Sequence, residues 1–246
     1  KRKLLDAIEE DIKNPGPFFH AYKTEEGKGN FHGNLRIWEH YQGLKDYCLN
    51  SPLPYFAAQL LNSNKINLFY DQLFVKEPET NNRIRWHNDQ PYWPIRGWPV
   101  ISFWTSLDPI SKENGPMEFI RKSHKWGKWY QPEHFAPGAN KAYEQNPEFE
   151  KIPDIESNRD KYDIISFDMN PGDLLAFHAL VVHGSAGNIS KERRRRGYAV
   201  RYTGNDVFYC AEKGSHLDLR NPELKDGDRL DSKQYPVVWE KGKNVF

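Results

Sequence analysis

Three residues have the types and order of a mononuclear metal site. His87 and Asp89 stand two apart in RWHNDQPYWP (85–94), and His183 lies far downstream in PGDLLAFHALVVHGSAGN (171–188). Two imidazoles and one carboxylate on one face of an octahedron form the facial triad of non-haem Fe(II) oxygenases. The three remaining positions take a chelating co-substrate and O₂. His-x-Asp alone is a weak signal, because nine histidines make a chance match easy. The pair is also consistent with a surface accident or a hydrogen-bonded core histidine. Its surroundings must decide.

The first of these is the basic run KERRRRGYAV (191–200). An enzyme that uses 2-oxoglutarate must hold the far carboxylate, and an arginine does this in bidentate fashion. Most of Arg193–Arg196 read as a solvated loop or a nucleic-acid patch. On a strand, however, Arg195, Gly197, Ala199 and Arg201 share one face, where Gly and Ala leave room for a ligand. The other face, Arg196, Tyr198, Val200 and Tyr202, is bulky. This selects Arg195, with Arg194 as runner-up because register is uncertain by a residue. Gln72 and Lys76 share a face with Tyr70 and Phe74, and Ser102, Trp104 and Ser106 share another. A buried Gln or Lys needs a partner, and a dicarboxylate is one. For Lys76 the alternative is that it merely starts the turn at Glu77-Pro78.

The elements that must position these residues are legible in outline. At 246 residues a β-sandwich or barrel is commonly one domain. Lys plus Arg is 35 against 34 for Asp plus Glu, which gives no support for a nucleic-acid or membrane-surface partner. Two cysteines, Cys48 and Cys210, are too few for a disulfide framework, so a reducing cytoplasm is expected. The longest apolar run, LLAFHALVV (174–182), is interrupted by His178 and is too short to span a bilayer. KRKLLDAIEEDI reads as an amphipathic helix, not a secretory signal. The first residue is not Met, which leaves open a trimmed targeting segment.

Residues 1–64 are expected to form a helical flank. Leu4, Leu5, Ile8 and Ile12 fall at helical spacing, NPGP (14–17) breaks the run, and YFAAQLL (55–61) is the second helix. From Lys65 the period becomes two. KINLFYDQLFVK places Ile66, Leu68, Tyr70, Gln72, Phe74 and Lys76 on one face, with a largely apolar opposite face, as in a strand covered on both sides. Further strands are expected at 84–89, 100–107, 117–120, 163–169, 173–183 and 197–204, with turn chemistry at DPISKENGP (108–116) and NPGD (170–173). Residues 121–162 read as a lid or insertion, and 207–246 as an irregular C-terminal extension. Nothing helical separates the strands at crossover length. The expectation is therefore a single, mainly β domain with flanking helices around a jelly-roll (double-stranded β-helix, cupin-like) core over 65–206.

WHNDQPYWP, followed by FWTSLDPISKENGPMEFIRKSHKWG and then PGDLLAFHALVVHGSAGN with its Arg cluster, resembles the phytanoyl-CoA dioxygenase (PhyH) family over roughly residues 60 to 206. The resemblance implies that His87, Asp89 and His183 ligate iron and are the catalytic centre, while His178 does not bind it. It places Arg195 at the 2-oxoglutarate carboxylate, although the loop from His183 is one residue longer than usual, which keeps Arg194 open. Ser185 and Trp104 match positions that contact the co-substrate, joined by Lys76 and Gln72. Asn88 departs from the Gln usual between the two ligands and borders the primary-substrate pocket, where Tyr92 and Trp93 are further candidates. His124, in KSHKWG, matches a structural turn. Halogenases of this fold replace the carboxylate ligand with a small residue, so Asp89 implies hydroxylation.

The implied function is an Fe(II)- and 2-oxoglutarate-dependent dioxygenase acting with O₂ on an unactivated C–H of a small or medium organic molecule. Its partners would be that small molecule alone, with no nucleic acid or membrane, in a monomer or small homo-oligomer. A CoA ester would want a basic rim, for which Lys122, Lys125 and Lys128 are candidates. Two other readings stay open: a non-oxidative cupin-like metal enzyme, either isomerase or hydrolase, and a jelly-roll carbohydrate-binding module.

Overall fold

A computed structural model describes residues 2–22, 29–134 and 143–243. In chain order the elements are α1 (Arg2–Lys13), β1 (Phe19–Tyr22), β2 (Phe31–Leu35), α2 (Gln42–Asn50), α3 (Leu53–Leu61), β3 (Lys65–Lys76) and β4 (Ile84–His87). Then come β5 (Ile95–Arg96), β6 (Val100–Ser106), β7 (Met117–Ile120), β8 (Ile164–Ser166), β9 (Leu174–His178), β10 (His183–Ser185), β11 (Arg195–Thr203), β12 (Phe208–Tyr209) and β13 (Val237–Glu240). The major sheet runs β1-β2-β3-β11-β6-β9, with β13 also paired to β3; the minor sheet runs β4-β10-β7-β8. Both are antiparallel throughout. The expected jelly-roll core, mainly β with flanking helices, is the fold observed.

The helices exist because each has one apolar stripe and the outer face of the major sheet needs cover. α1 buries Leu4, Ala7 and Ile8; α2 buries Leu44 and Cys48; α3 buries Leu53, Ala57 and Ala58. They pack on Leu73 and Val75 of β3, Tyr198, Val200 and Tyr202 of β11, and Phe103 of β6. The opposite face of the same strands looks into the space between the sheets, where the polar and charged residues collect.

Three expectations change in detail. The flank over 1–64 is not only helical: β1 and β2 extend the major sheet beside β3. Similarly, the C-terminal extension returns β13 to β3. The strict alternation expected along β3 also fails. The β3–β11 register slips between Arg201 and Tyr202, which oppose Tyr70 and Leu68, so Phe69 forms a bulge. Ile66 and Leu68 therefore join the helix-side core, while Tyr70 and Phe74 belong to the interior clusters. Of the expected lid at 121–162, residues 135–142 lie outside the described residues. The described part is irregular, with short 3₁₀ turns at Ser123–Trp126 and Glu156–Lys161.

Candidate metal centre

The two histidines meet because β4 and β10 pair antiparallel with His183 directly opposite His87. Their rings are 4.2 Å apart between centroids. Immediately after β4 the chain leaves the strand: Asp89 adopts α-helical angles (φ −71°, ψ −44°) and starts a 3₁₀ turn. The backbone N–H of Asp89 donates to Ala179 O at 2.9 Å, which holds that bend against the β9–β10 connection. The carboxylate is thereby turned back onto both rings. Asp89 Oδ1 lies 3.5 Å from His87 Nε2 and 3.7 Å from His183 Nε2. All three residues are buried, and one ligand atom from each lies within 4.8 Å of the others.

The hydrogen bonds suit metal binding. Each ring places Nδ1 against a backbone carbonyl, that of Arg85 for His87 (2.7 Å) and that of Val181 for His183 (2.9 Å). A carbonyl only accepts, so both Nδ1 atoms carry a proton, and the Nε2 of each ring faces the centre. Burial, aided by the nearby His87, pulls the His183 pKa down to about 4, so this ring is neutral near pH 7. Burial pushes the Asp89 carboxyl upward, but the neighbouring His183, His87 and Arg201 outweigh it and hold it well below the usual range. Ser102 Oγ donates to Asp89 Oδ2 at 3.2 Å, leaving Oδ1 for a cation. Two imidazole Nε2 atoms and one ionised carboxylate fit iron(II).

The cavity beside the triad is lined by Phe74, Trp104, Met117 and Phe177, and by two arginines, Arg195 and Arg201. Arg195 is 0 % exposed, and none of its three guanidinium nitrogens has a hydrogen-bond partner among the described residues. Its charged end lies over the Trp104 ring at 4.8 Å. That indole crosses the strand where Gly197 sits: a Cβ there would stand 1.8 Å from Trp104 Cζ2. Lys76, directly opposite Arg195 across the β3–β11 pair, donates to Ser185 Oγ (2.8 Å) and Ala186 O (2.6 Å). Arg195, which lines the cavity, thus stands across from the bonded Lys76–Ser185 pair. Gln72 is buried on the same strand, opposite Ala199. The runner-up Arg194 pairs instead with Glu9 of α1, and Arg196 with Asp108 and Glu9.

The expected substrate residues separate. Asn88 is 1 % exposed and spends both ends of its amide on backbone, donating to Lys128 O and accepting from Tyr130 N. Trp93 is buried and donates to the Tyr70 hydroxyl at 2.9 Å. Tyr92 stands edge-on to His87 (5.7 Å) and to Tyr143 (5.2 Å), while its hydroxyl donates to Glu133 O. Tyr143 in turn lines a second cavity of about 480 Å³ with His134, His216, Leu217, Asp218 and Arg220. His178 donates to Trp98 O and accepts from Leu180 N, away from the centre. Arg201 and Ser102 carry more of the site than their sequence context suggested. Both already stood on the inward strand faces, which was the available signal.

The profile of the family described as "Phytanoyl-CoA dioxygenase (PhyH)" matches residues 14–197. A "Probable phytanoyl-CoA dioxygenase" from Caenorhabditis elegans is 26 % identical over 226 residues, covering 84 % of this chain and 67 % of that protein. The peroxisomal phytanoyl-CoA dioxygenase of Homo sapiens is 27 % identical over 164 residues, 65 % of this chain and 46 % of that protein. The chain therefore spans about two thirds of the nematode relative and less than half of the human one. Among solved structures, the non-heme alpha ketoglutarate dependent carbocyclase SnoK from nogalamycin biosynthesis superposes with a TM-score of 0.74 at 19 % identity, covering 96 % of this chain and 85 % of that one. EctD from S. alaskensis, with 2-oxoglutarate and 5-hydroxyectoine, gives 0.64 at 17 % identity, covering 92 % and 80 %. At these identities the structures show a shared fold.

Proposed function

Because the chain belongs to the phytanoyl-CoA dioxygenase family, we propose that it is a non-haem Fe(II)- and 2-oxoglutarate-dependent dioxygenase. Its reaction would be hydroxylation, or another oxidation, of an unactivated C–H in a small or medium organic molecule, with succinate and CO₂ as co-products. One observation carries the reading: three converging metal-ligand atoms share one cavity with the Arg195 guanidinium, which has no hydrogen-bond partner among the described residues. A sugar-binding jelly roll needs no such triad, and a non-oxidative metal enzyme needs no anchor for a distal carboxylate.

When bound, iron(II) with 2-oxoglutarate and O₂ supplies the oxidising chemistry. The chain's own residues would place and protect it. His87 and His183 would offer Nε2 and Asp89 one carboxylate oxygen, with Ser102 holding the other. Arg195 and Ser185 would receive the distal carboxylate of the co-substrate, Lys76 would fix the Ser185 hydroxyl, and Trp104 and Gln72 would form the adjoining walls. Phe74, Met117 and Phe177, which line this space, would keep water from it. The primary substrate would enter by the chamber at Tyr143 and His216, stopping at Tyr92 beside the metal. In this arrangement Asn88 acts on the substrate pocket through the 128–130 backbone that it holds, and Trp93 through Tyr70.

Among the described residues no helix is long and apolar enough to cross a membrane. The mammalian relative is named as peroxisomal. For this chain the two free thiols favour a reducing compartment, the cytoplasm. The test is calorimetric binding of 2-oxoglutarate to the Mn(II)-loaded protein, followed by Fe(II)-dependent succinate release with candidate substrates. Saturable binding that requires metal is expected, whereas metal-loaded protein indifferent to 2-oxoglutarate would end the reading.

A further inference from the structure

A second guanidinium shares the cavity; its charge helps keep Asp89 ionised, but it forms no ion pair with the triad. Arg201 is 4 % exposed, and its Nε and Nη1 have no hydrogen-bond partner among the described residues. Among the described residues no carboxylate comes within ion-pair distance of it. Aromatic faces cover its plane instead: the charged carbon lies 4.4 Å from the Tyr70 ring centroid and 5.9 Å from those of Phe74 and Trp93. Such stacking steadies the cation but leaves the in-plane N–H groups unmet.

Position distinguishes the two arginines. Both project from the inward face of β11, six residues apart. Arg195 lies opposite Lys76, at the Ser185 end. Arg201 lies between Tyr70 on β3 and Ser102 on β6, and Ser102 is the residue that holds Asp89. One guanidinium thus stands at the distal end of the cavity and the other at the metal end. Asp89 is the one acid lining this space, against two arginines and, once loaded, a divalent ion. Buried charge without compensation is costly. An occupant with a carboxylate at each end relieves both arginines at once.

We propose that Arg201 is a second carboxylate anchor, holding the metal-side carboxylate of 2-oxoglutarate, so that one strand clamps the co-substrate at both ends. The inference rests on the function proposed above. It assigns Arg201 a binding and positioning role that strand parity alone did not.

Two keto acids separate the ends. 2-Oxopentanoate keeps the keto-carboxylate of 2-oxoglutarate and has a methyl group in place of the distal carboxylate. Binding of each to the Mn(II)-loaded protein is measured by calorimetry, with metal content and melting temperature recorded for every variant. Arg195→Gln is expected to weaken 2-oxoglutarate roughly tenfold or more, the loss of one charge-assisted pair, and to leave 2-oxopentanoate within about twofold of the parent. Arg201→Gln is expected to weaken both ligands roughly tenfold or more. Arg201→Lys, which keeps the charge without the planar fork, should fall between, and it serves as the reading if the Gln variant does not fold or load metal. A folded, metal-loaded Arg201 variant that binds 2-oxopentanoate like the parent overturns the proposal while the dioxygenase reading stands. A parent protein that binds neither keto acid removes both.

Discussion

At the scale of single residues, the site depends on atoms that have one partner too few until a ligand arrives. Asp89 supplies the one carboxylate among the three proposed metal ligands, and Asp89→Ala should reduce iron affinity by more than roughly 100-fold, with turnover lost alongside. Iron per chain after dialysis reads this directly, and parental iron content would refute the ligand assignment. Ser102→Ala removes the bond to Asp89 Oδ2. An outer-shell loss of this kind should cost roughly 10–100-fold in metal affinity; a metal titration that matches the parent would show that the carboxylate needs no brace. Strand parity favours Arg195 over Arg194; Arg195 lines the cavity, while Arg194 reaches Glu9. What parity could not show is that Arg195 finds no counter-ion among the described residues.

At the scale of elements, two small features carry geometry across the site. Gly197 is needed because the Trp104 indole occupies the space of its missing side chain. Gly197→Ala should displace that ring from beneath Arg195, lower stability by roughly 1–3 kcal/mol as overpacking does, and weaken 2-oxoglutarate binding. Equilibrium unfolding and calorimetry would show whether both effects appear together. Asn88 ties the turn after β4 to the 128–130 backbone. Asn88→Ala leaves those buried backbone groups unpaired, at roughly 1–3 kcal/mol, and should speed proteolysis near Lys128. An unchanged cleavage rate would mean that other contacts hold the segment. The sequence marked Asn88 as unusual, yet its amide faces backbone rather than the cavity. A side chain's partner far along the chain is not encoded in local pattern, and the bulge at Phe69 escaped for the same reason: it answers a register set by β11.

At the scale of the whole molecule, the helical layer is joined to the major sheet over a buried acid. Asp71 of β3 accepts from Tyr198 OH (2.5 Å) and from Trp38 N (2.9 Å), while its other oxygen has no partner. Burial raises its pKa from 3.8 to about 7. Asp11 of α1, bonded to Asn34, is raised by burial to about 6. A carboxyl with a raised pKa binds its proton more tightly when folded. Its contribution is therefore complete below pH 4 and is lost as pH rises through 6 to 7. Metal-free protein should melt at progressively lower temperature across that window, by an amount of the order of 5 °C, and Asp71→Asn should flatten the trend. Melting curves of equal slope for parent and variant would assign the pH dependence elsewhere.

The sequence by itself determined the chemistry on offer: His87, Asp89 and His183 in order, an arginine on a small-residue strand face, and strand periodicity that demands two packed sheets. These follow from residue type and from the period of two along a strand, both local properties. The tertiary structure decided which of these groups meet. Pairing β10 with β4 sets His183 opposite His87, and the bend at Asp89 turns its carboxylate onto both rings. Closing the sheets then brings Arg195, Arg201 and Asp89 to the lining of one cavity. Whether a charged group is neutralised, stacked or left waiting for a ligand depends on which distant strand lies across from it, and that is settled only when the chain closes.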